Sequence, residues 1–481
     1  TSFGTDFTET QLLSYIDPSN WTEQLLRQNG QEYTGYQGEN TIRNILLNST
    51  TRLNYNKNFA EKHTIDVSAF FEYFKAHAKS MSYGQEGLDP KVNHPGHGSG
   101  FIGHDPNGGF PNLYVPSVGA AKGSAGLLSY FATADYDYNK RYGFAASVRR
   151  DASFRFANSN RWGTFWSVSG RWNIDQEDFM ANSGFQMLKL RASYGTSGNQ
   201  NIDGQSVFNA ANLTRSLYAA ATGYANNPSY ITAQLGNDDL RWETISQLNV
   251  GVDFQTLSSR LRGSVDVYRK LTTDMYLETR LSAVTGFGTL FANVGELENK
   301  GVEAILHYDI FPSDSALQIT VSANGSYNKN TILDVANEEG LIDYGNNVDQ
   351  NGHPFSEYYV VRYAGVNPAN GNALFYTADG ELTENPNEVS DRVHTGKTFF
   401  PKYQGGFGFN AEYENFFLTT QFNFVYDIWR FDRDYSNLMD TGAGEFGHFN
   451  KSTDLDRAWT PDNRYTDVPA LTYNTGNYFV H

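Results

Sequence analysis

Apolar and polar residues alternate with a period of two along most of the chain, and the 3.6-residue period of an amphipathic helix is almost absent. Between Leu128 and Tyr138 one face carries Leu128, Tyr130, Ala132, Ala134, Tyr136 and Tyr138; Ser129, Phe131, Thr133, Asp135 and Asp137 face the other way. Leu248, Val250, Val252 and Phe254 oppose Gln247, Asn249, Gly251 and Asp253. Leu418, Thr420, Phe422, Phe424 and Tyr426 oppose Thr419, Gln421, Asn423 and Asp427. The pattern predicts about twelve strands, near residues 49–59, 63–79, 124–138, 142–154, 162–174, 186–198, 241–255, 261–278, 291–310, 316–330, 401–412 and 416–430. Most span roughly 11–18 residues, where an ordinary strand has about 5–6 and a membrane-crossing one about 9–11.

The connections between these strands alternate in length, at about 3, 44, 3, 7, 11, 42, 5, 12, 5, 70 and 3 residues, with a tail of about 50. Short turns on one side and long loops on the other are the mark of an outer-membrane barrel. A soluble all-β protein explains the alternation equally well, but neither the strand length nor the parity of the loops. Pro90, Pro95, Pro106, Pro111, Pro116, Pro228, Pro312, Pro354 and Pro368 all fall in connections, as ladder hydrogen bonding requires. In lipid every backbone N–H and C=O must be paired internally, so the strands close into a barrel. The apolar face then meets lipid and the Ser, Thr, Asn, Asp and Arg face meets a wet lumen. Tyr136, Tyr138, Tyr142, Trp162, Trp166, Trp172, Trp242, Tyr413 and Tyr426 stand at strand ends, where aromatic girdles form.

Composition narrows the function. The chain has 481 residues, a formal net charge of −17, 34 Phe, 31 Tyr, 7 Trp and no Cys. Without cysteine there is no disulfide scaffold, thiol catalysis or thiolate-bound metal. The negative balance disfavours nucleic acid as a partner. No apolar run approaches the roughly 18 residues of a transmembrane helix. Aromatic and β-branched residues are too plentiful for a disordered chain. The sequence opens at Thr1 with neither Met nor a signal peptide.

Six segments carry a family resemblance. They are SYFATADYDYNKRYGFAASVRRDASFRF (Ser129–Phe156), RWGTFWSVSGRWNIDQEDF (Arg161–Phe179), LKLRASYGTSGNQNI (Leu188–Ile202), LRWETISQLNVGVDF (Leu240–Phe254), NVGELENKGVEAILHYD (Asn293–Asp309) and FPKYQGGFGFNAEYENFFLTTQFNF (Phe400–Phe424). In this order they resemble the SusC/RagA-like TonB-linked outer-membrane transporters. The likeness runs from about Gly38 to about Asp432. It implies a barrel of about 22 strands with an N-terminal plug. It also implies a SusD-like surface lipoprotein as lid and energy from the TonB–ExbB–ExbD complex. No plug or TonB box is recognisable here, so the chain reads as an internal stretch of a longer protein. Many family members carry a DxNGDGxI-like turn near Val366–Thr383; here Asn367, Asn370 and Asn372 replace its acids, and calcium is not expected there.

Catalytic constellations are weak. HTGKT (His394–Thr398) resembles part of a phosphate loop, but the required upstream Gly is missing, since residue 391 is Asp. GAAKGSAG (Gly119–Gly126) has its Lys in the wrong place and reads as a flexible lead-in to the next strand. His94, His97 and His104 lie in a Gly-rich loop that fixes no metal geometry. Asp135 and Asp137 share the lumen face and read as solvated wall. No enzyme activity, cofactor or metal is expected. Loop aromatics beside small polar residues are the better candidates for ligand contact, through stacking on sugars or holding peptide side chains. Tyr114, Tyr224, Tyr230, Tyr358, Tyr359 and Trp429 are the chosen set; the same rings could instead pack loop against loop.

The expected architecture is all-β: a transmembrane antiparallel β-barrel, about twelve strands of a larger one, with the plug outside this stretch. Residues 1–48 are expected to be loop or upstream barrel, residues 49–430 barrel strands with long extracellular loops at 80–123, 199–240 and 331–400, and residues 431–481 a further extracellular loop leading to missing C-terminal strands. The resemblance implies import of glycans or oligopeptides across the lipopolysaccharide-bearing outer membrane of a Gram-negative bacterium. A homodimer of transporter–lipoprotein pairs stays open. The rivals are a non-transporting surface barrel or adhesin scaffold, a passive porin and, last, a soluble carbohydrate-active enzyme.

Overall fold

Long strands joined to their sequence neighbours account for most of the computed structural model, which describes residues 1–21, 23–24, 35–88, 116–201, 213–335, 337, 340–441 and 450–471. In chain order the strands begin with β1 (Ser2–Ile16), β2 (Tyr36–Phe59), β3 (His63–Glu86), β4 (Ser117–Tyr138), β5 (Tyr142–Ser153), β6 (Trp162–Asn173) and β7 (Phe185–Asn199). A hairpin of β8 (Leu217–Thr222) and β9 (Pro228–Gln234) follows, then β10 (Glu243–Thr256), β11 (Leu261–Arg280), β12 (Thr289–Asp309) and β13 (Leu317–Asp334). A second sheet contains β14 (Leu341–Asp343), β15 (Asn347–Gln350), β16 (Glu357–Val366), β17 (Ala373–Tyr376), β18 (Leu382–Thr383) and β19 (Arg392–Thr398). β20 (Tyr403–Tyr413) and β21 (Phe416–Tyr426) return to the first sheet.

That first sheet has thirteen strands in the order β1–β7, β10–β13, β20, β21. Among the described residues its edges are β1 and β21, and it does not close on itself. The β2–β3 ladder runs unbroken from Tyr36↔Glu86 to Phe59↔His63. Tight turns hold the short end. Between β4 and β5, Asn139 (φ 53°) and Lys140 (φ 57°) both adopt the left-handed conformation that matches the twist of a hairpin.

Register joins the alternations of single strands into two continuous faces. Asn54, Ser68, Thr133, Ser147 and Ser167 follow one another across β2–β6 on the polar face. Phe254, Gly263, Leu306, Ala323 and Phe407 do so across β10–β20 on the apolar face. Large apolar side chains on that face are exposed, Val267 at 54% and Phe422 at 56%. Such a face needs lipid against it.

Two rows of aromatic rings bound the apolar face. Tyr142 and Trp172 pair near the turns, with ring centroids 6.5 Å apart. Toward the loops Tyr130 pairs with Trp162 (6.2 Å), Trp166 with Tyr194 (5.7 Å) and Tyr327 with Tyr403 (5.1 Å). Tyr130 and Tyr138 are eight residues apart on β4, about 27 Å along the strand and about 20 Å of height at a 40° tilt. Beyond the loop-side row the same face of β3 turns to Lys75, His77 and Lys79, so β2–β4 continue out of the membrane there.

The structure departs from the sequence expectation in particular places. An additional strand, β1, precedes the expected first one, and β2 begins at Tyr36 rather than near residue 49. The adjacent pair Leu12–Leu13 and the interspersed acids of β1 blur its alternation. Gly119–Gly126 is not a flexible lead-in but part of β4, in register with β3 from Ser82↔Gly119 to Lys75↔Gly126. Gly119 packs closely on Ser82: a Cβ there would lie 2.6 Å from Ser82 Oγ, and the hydroxyl would have to turn away.

On the polar side, near the loops, Phe156, Phe165, Leu240, Trp242 and Tyr276 form a buried core. The Phe165 ring fits only because Gly198 lacks a side chain, since a Cβ there would sit 2.0 Å from it. Past β21 a helix, Arg433–Met439, starts at Asp432, whose carboxylate caps Tyr435 N–H. It packs Met439 with Leu455, Ala458 and Val468.

Candidate functional site at the polar face and the loop sheet

The polar face is lined by cross-strand ion pairs. Arg149 donates to Glu72 (2.8 Å), to Asp151 (2.7 Å) and to Ser129 Oγ (2.9 Å), while its guanidinium lies 4.6 Å from the Phe131 ring centre. Arg191 bridges Asp253 (2.8 Å) and Asp266 (2.9 Å). Arg171 meets Asp137 at 2.5 Å. These charges fix one another in a ladder, and the remaining Ser, Thr and Asn side chains give a wall able to exchange hydrogen bonds with a polar solute. Sequence alternation marked the face, but the partners could not be found without register: Glu72 and Arg149 are 77 residues apart.

The second sheet stands in the long connection between β13 and β20. Arg392 on β19 grips Asp343 on β14 with both terminal nitrogens, which holds the Asp343 carboxyl below its ordinary range. Its guanidinium also lies 5.0 Å from the Tyr359 ring centre. Asp349 is buried, and desolvation pushes its carboxyl up, partly offset by the Ser356 N–H it accepts at 2.7 Å. In the turn after β16, Asn367 and Asn370 accept backbone N–H groups through their side-chain oxygens. Their amide nitrogens, with that of Asn372, therefore point at Glu384 and donate at 2.5, 2.9 and 2.7 Å. The three amides hold the Glu384 carboxyl below its usual value.

The chosen aromatics fall into three groups. Tyr114 lies outside the described residues, as do His94, His97 and His104. Tyr224 and Tyr230 stand on the β8–β9 hairpin at 97% and 81% exposure, with open ring faces. Tyr358, Tyr359 and Trp429 meet at the second sheet. Tyr358 Oη accepts Phe431 N–H at 3.2 Å, and Trp429 N–H donates to the Thr398 carbonyl. Tyr359 has Arg392 on its ring and His394 4.9 Å away, and Lys397 Nζ lies 3.7 Å from the Trp429 ring centre. One face of each of these last two rings is thus already in use. HTGKT is strand β19, paired with β16, and has no strand–loop–helix geometry for phosphate.

A family profile described as "TonB dependent receptor-like, beta-barrel" matches residues 2–403. TonB-dependent receptor P39 of Formosa agariphila is 28% identical over 480 residues, covering 88% of this chain and 43% of that protein. TonB-dependent receptor SusC of Bacteroides thetaiotaomicron is 28% identical over 327 residues, covering 60% of this chain and 31% of that protein. The solved RagAB peptide transporter superposes with a TM-score of 0.82 at 26% identity, covering 98% of this chain and 50% of that one. The chain spans less than half the length of these curated relatives. The match over residues 2–403 takes in most of the described sheet, and the chain belongs to the TonB-dependent receptor-like β-barrel family, whose members sit in the outer membrane of Gram-negative bacteria.

Proposed function

We propose that this chain is the barrel part of an importer that takes up oligopeptides or glycans. The polar face forms the wall of the path, and the second sheet and the β8–β9 hairpin contact the solute from outside. Tyr114, Tyr224, Tyr230, Tyr358, Tyr359 and Trp429 are the proposed ligand contacts. A SusD-like lipoprotein closes the loop side, a plug from the rest of the protein fills the lumen, and the TonB–ExbB–ExbD complex moves that plug. The pairs assemble as a homodimer, and no catalytic step is assigned to the chain. The observation that carries this is the superposition on a peptide transporter over 98% of the chain.

The test uses the full-length protein in its own host. Uptake of labelled oligopeptides and of labelled glycans is measured with the gene intact, deleted, and with tonB deleted. Loss of uptake in both deletions supports the proposal, and the solute lost names the class. Uptake that survives without tonB means a passive porin; no change in either deletion means a barrel that does not transport. With the solute class known, Tyr224→Ala with Tyr230→Ala weakens binding about five- to thirtyfold, because each open ring offers roughly 0.5–1 kcal/mol of stacking. Unchanged affinity removes this pair from the proposed contacts.

A further inference from the structure

The second sheet brings together three titratable side chains, one of which, His394, also lies against the Tyr359 ring. Glu357 opens β16, and its side chain is only 1% exposed. His353 lies four residues earlier, and His394 comes from β19, which pairs with β16. Nδ1 of each histidine is 2.8 Å from the same oxygen, Glu357 Oε2. The two rings stack with centroids 3.9 Å apart and planes 25° apart. The other oxygen, Oε1, accepts Gly396 N–H at 2.5 Å, where Gly396 has a φ of 70°.

A buried carboxylate is therefore oriented by a backbone N–H on one oxygen and by two imidazoles on the other. One ligand atom from each of the three residues lies within 4.8 Å of the others. Both rings are partly open to solvent, so an ion can reach them. The neighbouring cation, Arg392, is tied to Asp343 and does not compete for Glu357.

We infer that His353, Glu357 and His394 form a binding site for a borderline divalent ion of the Zn²⁺ class, joining β16 to β19. Two imidazoles and a carboxylate suit such ions, whereas Ca²⁺ and Mg²⁺ take oxygen ligands. Metal bonds of about 2.0–2.1 Å at tetrahedral angles need ligand atoms about 3.4 Å apart. The Nδ1–Oε2 contacts would open by about half an ångström, which side-chain rotation supplies. Binding through Nδ1 leaves the single proton of each neutral imidazole on Nε2. Water fills the remaining position. This inference does not depend on what the barrel transports.

The test uses the full-length transporter in detergent, stripped of metal with a chelator. Zn²⁺ is titrated calorimetrically into the wild type and into His353→Ala with His394→Ala. The wild type takes up one more tight equivalent than the double variant. Glu357→Gln weakens that equivalent at least about tenfold. A second readout needs no variant: diethyl pyrocarbonate labelling of histidines, mapped by mass spectrometry with and without Zn²⁺. Zn²⁺ shields His353 and His394 and leaves His63 and His307 reactive. Equal uptake by wild type and double variant, or equal labelling of His353 and His394 with and without Zn²⁺, overturns the proposal.

Discussion

The thirteen-stranded wall and the second sheet are both antiparallel, yet different physics holds them. In the wall, ladders run for up to 24 residues, and a side chain's place depends mainly on its parity. Each exchange of parity moves a residue between lipid and water, so the environment fixes register with no need for individual contacts. In the second sheet, strands run from 2 to 10 residues, and the pairing slips between Tyr363 and Gly365 and between Glu357 and Tyr359. There, side chains bonded to distant backbone make up for the short ladders. Tyr363 Oη donates to the Asp467 carbonyl and Trp459 Nε1 to the Pro368 carbonyl, 104 and 91 residues away. A periodic wall tolerates variation within a class of residue; a contact-built sheet does not.

The sharpest way to break this contrast is to swap parity within one wall strand. Val250→Arg puts a charge on the apolar face between the two aromatic rows and costs about 2–4 kcal/mol if the face meets hydrocarbon. Asn249→Arg, one residue away on the polar face, costs less than about 1 kcal/mol. Urea unfolding of the two variants of the full-length protein in lipid bilayers checks this. Equal costs would mean that Val250 does not face lipid.

A second, smaller effect tests the core where wall and loops meet. Gly198→Ala forces the Phe165 ring to move, since the new methyl would stand 2.0 Å from it. The expected cost is about 1–3 kcal/mol from overpacking. Gly325→Ala on β13 has nothing within 4 Å of the new methyl and is expected to be near neutral. The same unfolding assay compares them; a neutral Gly198→Ala would mean the aromatic core rearranges freely.

The wall was almost fully legible in the sequence because its cause is periodic. The expected bounds of β5, β6 and β11 differ from those observed by at most two residues. Legibility failed where period two competes with something else: in β1, where Leu12 and Leu13 are adjacent, and in Gly119–Gly126, where small residues imitate a linker. In the sequence the second sheet has only the signs of a long loop. Its strands are too short for periodicity, and Glu357 meets His394 across 37 residues that give no local sign of it. The exposed tyrosines of the hairpin were recognisable by residue type alone. That Tyr359 and Trp429 already carry Arg392 and Lys397 on a ring face needed coordinates.

The smallest expected effect separates the two sheets by pH. Glu384 is solvent-accessible, and three asparagine amides lower its folded-state pKa below the ordinary glutamate value of about 4.5. A carboxyl lowered in this way stabilises its turn fully above the unfolded value, and the contribution disappears as pH falls through the lower folded value. At neutral pH, Glu384→Gln should therefore speed hydrogen exchange at Ala369 and Asn372, whose amides bond to Asn367 and Asn370. Compared with wild type at the same pH, that excess should shrink as the pH drops below about 4.5. The β2–β3 ladder, which does not rely on this carboxylate, should show no variant-dependent change. An excess that persists unchanged in acid would place the stability of the turn in its backbone bonds alone and leave Glu384 without a role in it.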